Sequence, residues 1–343
     1  MKKLLNTLYI LSDDAYLSLD GETVRILYPD ETSKKVPLHM LENIISFSYK
    51  GASPALLGEC VRRGIQISFY SPYGKYLASV SNNTKGNVYL RRDQYRIADN
   101  PEHSMSIAKN FIYGKLYNEK YVLLRCTRDH ALRVDVCTIK SAASNISRYL
   151  RDVECTKDIT SLRGIEGNAA AEYFSVFDEM ILQNEDEFRF TGRNRRPPTD
   201  RTNALLSLSY SLLTNDCASA LSGAGLDPYV GFLHVDRPGR KSLALDLEEE
   251  LRSPFADRFT LTLINNRVIT PDDFMIQENG AVLLTDKGRK QFVSEWQKRK
   301  KQVITHPFLN EKIEWGLVPH IQAQLLARYI RGDLEQYPPF FWK

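Results

Sequence analysis

The feature that most constrains this chain is a change of hydrophobic period. Up to about residue 88 apolar residues alternate with polar ones, and from about residue 100 they recur at steps of three and four. Alternation puts side chains on opposite faces of a strand, whereas the longer steps build one face of a helix. An α+β fold is therefore predicted, with a small N-terminal β domain (residues 1–88) followed by a larger all-α C-terminal domain (residues 89–343). At roughly 150 residues per domain, 343 residues suit two such units.

Residues 16–19 and 22–27 alternate on either side of Asp20-Gly21, which predicts a hairpin closed by a type I′ turn. Ser53 as cap, Pro54 at the first position and Gly64 as stop predict a short helix. Residues 65–70 and 75–80 read as strands joined by a Pro-Tyr-Gly turn, and the turn-rich stretch 81–86 as a boundary. Met1-Lys2-Lys3-Leu4-Leu5 reads as a strand rather than a secretion signal, because Asn6 and Thr7 break its apolar run. Further on, Leu132, Val136, Ile139, Ala143, Ile146 and Leu150 share one helix face. Ile165, Ala169, Tyr173, Val176 and Met180 mark another. Residues 203–221 form a third helix, closed by Gly223 and Gly225, and 242–251 a fourth with Pro254 close behind. The stretch 285–333 also has a helical pattern.

Composition excludes more than it identifies. With 43% hydrophobic and 26% charged residues, disordered and fibrous classes drop out. A net charge of +4, from 46 basic and 42 acidic residues, is too mild to argue for a nucleic-acid partner; charge location must decide. Cysteines 60, 126, 137, 155 and 217 form no CxxC pair, so a disulfide framework or zinc ribbon is not expected, and a reducing cytoplasmic location is. No apolar run approaches the ~18 residues of a membrane span. The chain lacks GxGxxG, GxxxxGK[ST], GxSxG and HExxH patterns, so dinucleotide, P-loop, esterase-type and zincin chemistries have no support.

Two segments could carry chemistry. In Leu162-Arg163-Gly164-Ile165-Glu166-Gly167-Asn168, Glu166 sits beside Ala169, Ala170 and Tyr173 on a helix, at the edge of the apolar stripe and over small residues. The alternative is a carboxylate near a helix N-terminus, favoured there by the macrodipole. The second segment runs from Gly231-Phe232-Leu233-His234 to a helix bearing Asp246, Glu249 and Glu250. These carboxylates project from one side, apart from Leu243, Leu247 and Leu251, and repel one another unless a cation compensates. A histidine folded back over them would complete a set suited to Mg²⁺ or Mn²⁺. The alternative is a solvated acidic face plus a core histidine. His39, His103, His130, His306 and His320 have no such neighbourhood and are taken as structural or surface residues.

Basic residues cluster three times. Arg189, Arg193, Arg195, Arg196 and Arg201 surround Pro197-Pro198, with Phe188 and Phe190 interleaved. Lys287, Arg289, Lys290, Lys298, Arg299, Lys300 and Lys301 form a second run, and Arg91, Arg92 and Arg96 with Tyr89 and Tyr95 a third. Each alone reads equally as a solvated face; beside a candidate metal site they point toward a phosphodiester substrate.

At this point the sequence resembles a known family. Leu162-Arg163-Gly164-Ile165-Glu166-Gly167 comes first, then Arg193-x-Arg195-Arg196-Pro197-Pro198 with Asn203-Ala204-Leu205-Leu206-Ser207. Gly225-Leu226-Asp227-Pro228-x-x-Gly231-Phe232-Leu233-His234 and Ser242-Leu243-Ala244-Leu245-Asp246-Leu247-x-Glu249-Glu250 follow. Together and in this order they resemble the CRISPR-associated adaptation integrase/endonuclease family (Cas one), and the N-terminal half looks closest to its subtype I-C branch. The resemblance implies a metal-dependent DNA endonuclease/integrase that joins the 3′-hydroxyl ends of captured double-stranded DNA to the CRISPR repeat by transesterification. It implies Mg²⁺ or Mn²⁺ held by Glu166, His234 and Glu249, with Asp246 as a further catalytic acidic position. The third ligand is often Asp in relatives, and Glu249 is one methylene longer, which leaves open whether Asp246 or Glu249 makes the closer contact. The resemblance further implies a homodimer joined through the β domain, a catalytic and DNA-binding α domain, and a small ferredoxin-like adaptation subunit (Cas two) as partner. Arg193, Arg195, Arg196 and Arg240 are the expected phosphate contacts, and Tyr210, on the face of Asn203, an expected support. The competing readings are a divalent-metal nuclease acting on branched DNA in repair and an inactive DNA-binding scaffold.

Overall fold

A computed structural model describes residues 7–41, 43–71, 76–80, 88–183, 186–195 and 197–342. The expectations for residues 1–6, the 72–74 turn, Lys75, the 81–86 boundary and Arg196 lie outside the described residues.

The N-terminal region holds two sheets. One has strands β1 (Thr7–Ile10), β5 (Asn43–Ser46), β6 (Gln66–Tyr70) and β7 (Tyr76–Val80), in that order. The other is an antiparallel meander of β2 (Tyr16–Asp20), β3 (Thr23–Leu27) and β4 (Ser33–Pro37). β1, β5 and β6 run parallel, and α1 (Pro54–Arg63) makes the crossover between β5 and β6. That helix begins and ends as its residues dictate: Ser53 accepts the Leu56 N–H, Pro54 opens it, and Gly64 closes it at φ +74°. The expected hairpin is present, with Asp20 opposite Thr23. The type I′ turn is not. The two central residues are Gly21 and Glu22, and only Gly21, at φ +57°, takes a positive φ. A single positive φ at the first central position is the signature of a II′ geometry, which needs glycine there and tolerates Glu after it.

Alternation in β5 feeds two cores. Ile44 joins Ile10, Leu17, Val24, Ile26, Leu56 and Ile67 between the sheets. Ile45, one residue on, turns with Phe47 and Tyr70 into the core of the helical body.

That body is mostly helical and carries two short ribbons besides. Its helices are α2 (Val88–Ala98), α3 (Pro101–Asp129), α4 (Val136–Cys155), α5 (Ile159–Ser175), α6 (Arg201–Gly223), α7 (Ser242–Leu251), α8 (Arg258–Asn265), α9 (Asp286–Lys300) and α10 (Val318–Ile330). The ribbons pair β8 (Phe274–Ile276) with β9 (Val282–Leu284), and β10 (Val303–Thr305) with β11 (Lys312–Glu314). The second ribbon interrupts the stretch that the helical pattern had joined from 285 to 333. α3 is the spine, capped by Asn100 and packed against α4, α5 and α7. Leu132 departs from its expected place: it lies in the turn after α3, fully exposed, and the α4 face begins at Ile139. Pro254 does not end the α7 path. It sits in a π-helical turn, Arg252–Asp257, that leads directly into α8. The wider turn changes the backbone register around a residue with no N–H to give.

Candidate functional site

The core of the site is a loop folded onto a buried carboxylate. Asp246, on α7 and fully buried, accepts the backbone N–H groups of Phe232 (2.7 Å), Leu233 (3.0 Å) and His234 (2.9 Å). It also lies 2.6 Å from Nδ1 of His234. The loop can come this close because Gly231 has no side chain: a Cβ there would stand 2.9 Å from Asp246 Oδ2. Two neighbours pin the other side of the loop. The Arg163 guanidinium donates to the Leu233 carbonyl, and Ser104 Oγ donates to the Phe232 carbonyl (3.0 Å). With an ionised acceptor at Nδ1, the imidazole proton resides there, and the Nε2 lone pair is left for other use. Nε2 lies 3.9 Å from Glu249 Oε1.

Glu249 is buried one turn further along α7. Its Oε1 pairs with Arg252 Nη1 at 2.6 Å. Its Oε2 lies 2.8 Å from Lys115 Nζ, off hydrogen-bond geometry and with no other partner. Burial alone would raise this carboxyl, but Arg252, Lys115 and His234 together hold it down to about 2. Lys115 comes from α3 and is itself buried; its ammonium also pairs with Glu166 Oε1. Despite burial, Glu249 and Glu166 raise its pKa. Glu166 is partly open to solvent and lies two turns inside α5, whose N-terminus is capped by Asp158. The macrodipole is therefore not what places a carboxylate at 166.

A second layer backs these groups. Arg252 also pairs with Glu248 Oε1 at 2.8 Å and lies over the Tyr210 ring, 5.1 Å from its centroid. Arg193 lies over the same ring at 5.0 Å. The Tyr210 hydroxyl donates to Asp257, whose carboxyl burial pushes up to about 6 against the opposing pull of the Tyr210 and Tyr173 hydroxyls. Tyr210 thus lies behind Arg252 and the two glutamates that flank it. Arg193 is placed differently from a phosphate-gripping fork: its guanidinium donates to Asn203 Oδ1 and the Asn194 carbonyl. Arg195 is exposed and Arg240 half-buried on the loop that follows His234.

The acidic side of α7 is not a solvated face. Asp246, Glu248, Glu249 and Glu250 are all at most 3% exposed, and each has its own partners. The 287–301 run also turns partly inward. Arg289 pairs with Asp13 and Asp286, Lys300 with Asp216, and Arg299 donates to the Pro254 carbonyl and lies over Trp315. Lys115 and Arg252 escaped the sequence reading. Lys115 carried a usable signal, because it interrupts the buried stripe Ala108, Phe111, Leu116 and Val122 of α3, where a charge must have a partner.

The donor set suits a divalent cation in kind: two carboxylates, and an imidazole whose Nε2 is freed by Asp246. Glu249 Oε2 is buried without a hydrogen bond, and the charge it faces at 2.8 Å is the Lys115 ammonium. Among the described residues no three such side chains stand together as a finished ligand group, because the Lys115 ammonium lies between the two glutamates. The residues fit an ion on condition that Lys115 gives way.

The architecture defines a class. A casposase bound to integration product aligns over 100% of this chain and 95% of its own, with a TM-score of 0.83 and 24% identity. A Cas1 protein of Thermotoga maritima, TM1797, aligns over 95% and 97%, with a TM-score of 0.81 and 24% identity. The fold is that of the Cas1 and casposase proteins.

Sequence narrows the class to a family. The model of "CRISPR associated protein Cas1" matches residues 8–298. A CRISPR-associated endonuclease Cas1 of Chlorobaculum tepidum is 47% identical over 343 residues, and one of Rhodospirillum rubrum 48% identical over 347, each covering both chains completely. The chain belongs to the Cas1 family.

Proposed function

We propose that this protein is a divalent-metal-dependent DNA endonuclease/integrase of CRISPR adaptation, joining 3′-hydroxyl ends of captured DNA to the repeat by transesterification. The observation that carries the reading is the Asp246-locked His234, its Nε2 aimed at Glu249, with Glu166 tied to Glu249 across Lys115. Glu166, His234 Nε2 and Glu249 would hold Mg²⁺ or Mn²⁺. Bound there, the ion would lower the pKa of the attacking hydroxyl, neutralise the phosphate and stabilise the departing oxygen.

The protein's residues supply order. Asp246 fixes the His234 tautomer and anchors the loop through its three accepted N–H bonds, which makes it a positioning residue beside the ligand Glu249. Arg252 holds Glu249 in place, and the Tyr210 ring supports Arg252. The partly exposed Glu166 and His234 leave an open edge where a DNA strand can enter. In this reading Arg195, Arg196 and Arg240 are the phosphate contacts, and Arg193 acts from behind the site. No covalent protein intermediate is needed.

The same proposal includes a homodimer joined through the β region, a small adaptation subunit as partner, and an I-C-like branch on the likeness of the N-terminal half. One solved structure of the same fold is described as a Cas6-RT-Cas1–Cas2 complex. No described helix is long and apolar enough to cross a membrane, and the described cysteines are free thiols, which supports a cytoplasmic setting.

The test uses a labelled branched DNA that mimics a half-integrated spacer, incubated with Mn²⁺, Mg²⁺ or EDTA. Metal-dependent rejoining of the strand, abolished by Glu166→Ala and His234→Ala, is expected. Nicking without rejoining would replace the integrase reading with a repair nuclease. DNA binding with no cutting or joining would leave only a scaffold.

A further inference from the structure

Lys115 is an unusual resident of an acidic site. It arises from the middle of α3, its side chain is 6% exposed, and its ammonium bridges Glu166 and Glu249, residues from two other helices. Two buried or half-buried carboxylates this close repel strongly unless a positive charge lies between them. In the structure that charge belongs to the protein. The same helix offers the ammonium a second acceptor. Glu119 lies at i+4 on α3, so the two side chains are neighbours on one face. Glu119 is 3% exposed, and its Oε2 is buried without a hydrogen-bond partner. A buried acceptor left unmade is costly, and it needs an account.

We infer that Lys115 is a built-in counter-cation that holds Glu166 and Glu249 together until a divalent ion takes its place, whereupon its ammonium turns to Glu119. The inference rests on the metal reading of the site and adds to it. A chain without Lys115 would present two unneutralised carboxylates, spring apart, and have to be reassembled by each incoming ion. With Lys115 the pair is preassembled, and the ion must compete for it. Lys115 is thus a positioning residue that trades metal affinity for a formed site in the metal-free protein.

The trade gives the test its sign. Mn²⁺ binding is measured by titration calorimetry on the full-length protein, together with thermal unfolding with and without Mn²⁺. Lys115→Met is expected to bind Mn²⁺ about tenfold more tightly, because a competing charge a few ångströms away is gone. It should also unfold earlier than wild type without metal and recover more on adding it. A merely structural lysine would weaken Mn²⁺ binding when lost. A Lys115→Met protein that folds only in Mn²⁺ supports the inference equally. Glu119→Gln keeps size and shape, and tests the destination independently. It should bind Mn²⁺ about threefold more weakly, with metal-free unfolding close to wild type. The inference is overturned if Lys115→Met binds Mn²⁺ as wild type does or more weakly, or if Glu119→Gln leaves binding unchanged. Mn²⁺ binding that Glu166→Ala and His234→Ala leave untouched would instead overturn the metal reading beneath it.

Discussion

Glu249 and Glu250 are neighbours on α7 and equally buried, yet they face opposite worlds. Glu249 meets the cations Arg252 and Lys115, with the His234 ring beside them, and is held at about 2 despite its burial. Glu250, about 100° around the helix, meets only neutral donors: the Tyr337 hydroxyl, Gln322 Nε2 at 3.0 Å and the Phe340 N–H at 2.8 Å. Burial pushes it up to about 7, although those donors pull it down. Asn118 completes this second side. It donates to the Glu250 and Phe340 carbonyls and accepts the Trp342 N–H. The Trp342 ring in turn carries Arg258 at 4.2 Å. One side of α7 thus holds a charged carboxylate among cations, and the other straps the C-terminal segment onto the helix. The type of partner, rather than the depth of burial, separates the two.

The comparison can be broken most sharply on the Glu249 side. Glu249→Gln should cut strand transfer on branched DNA by at least about a hundredfold, beyond what losing an outer-shell partner costs, and should lower stability as well, because buried Arg252 and Lys115 lose their carboxylate partner. Asp246→Asn should cost about 10–100-fold in strand transfer and in Mn²⁺ affinity, because it releases both the His234 tautomer and the loop. On the other side, Glu250→Gln presents amide hydrogens to groups that already donate. A stability loss of about 2 kcal/mol in urea unfolding is expected, with strand transfer per folded molecule retained.

His306 sharpens the same side through pH. It is packed against Phe340 and hydrogen-bonded to Gln322, and burial holds it down to about 4. The unfolded imidazole titrates near 6.5. The unfolded state therefore binds more protons in the window between, so this stability is present above about pH 6.5 and is lost as pH falls toward 4. Between about pH 7 and pH 5 the wild type should lose about 1 kcal/mol more than His306→Gln, a figure discounted for partial screening. The smallest effect belongs to Leu132→Ser, expected within about 0.5 kcal/mol of wild type because this leucine packs on nothing.

Much of the local structure was legible because its causes are local. The α1 cap, proline and glycine, the β2–β3 hairpin and the α7 bounds all depend on residues a few positions apart. So does the Asp246–Glu249 spacing. The reading failed where a distant residue or a subtle backbone choice decides. Leu132 kept the helical period but fell beyond the α3 end at His130. Pro254 signals a stop unless a π-helical turn absorbs it. Arg289 and Lys300 look like a solvated run until Asp13 and Asp216 arrive from far along the chain. Lys115 lies 51 residues from Glu166 and more than twice as far from Glu249, so spacing could not announce the bridge. Arg193 read as a phosphate contact, but its partners Asn203 and Tyr210 turn it inward.

The most direct test places Glu249→Gln and Glu250→Gln side by side in the branched-DNA strand-transfer assay with Mn²⁺, each compared with wild type at equal folded concentration. The division of α7 into a reactive and a structural side predicts near-complete loss for the first and nearly wild-type transfer for the second. Equal losses in both, or the greater loss in Glu250→Gln, would contradict it.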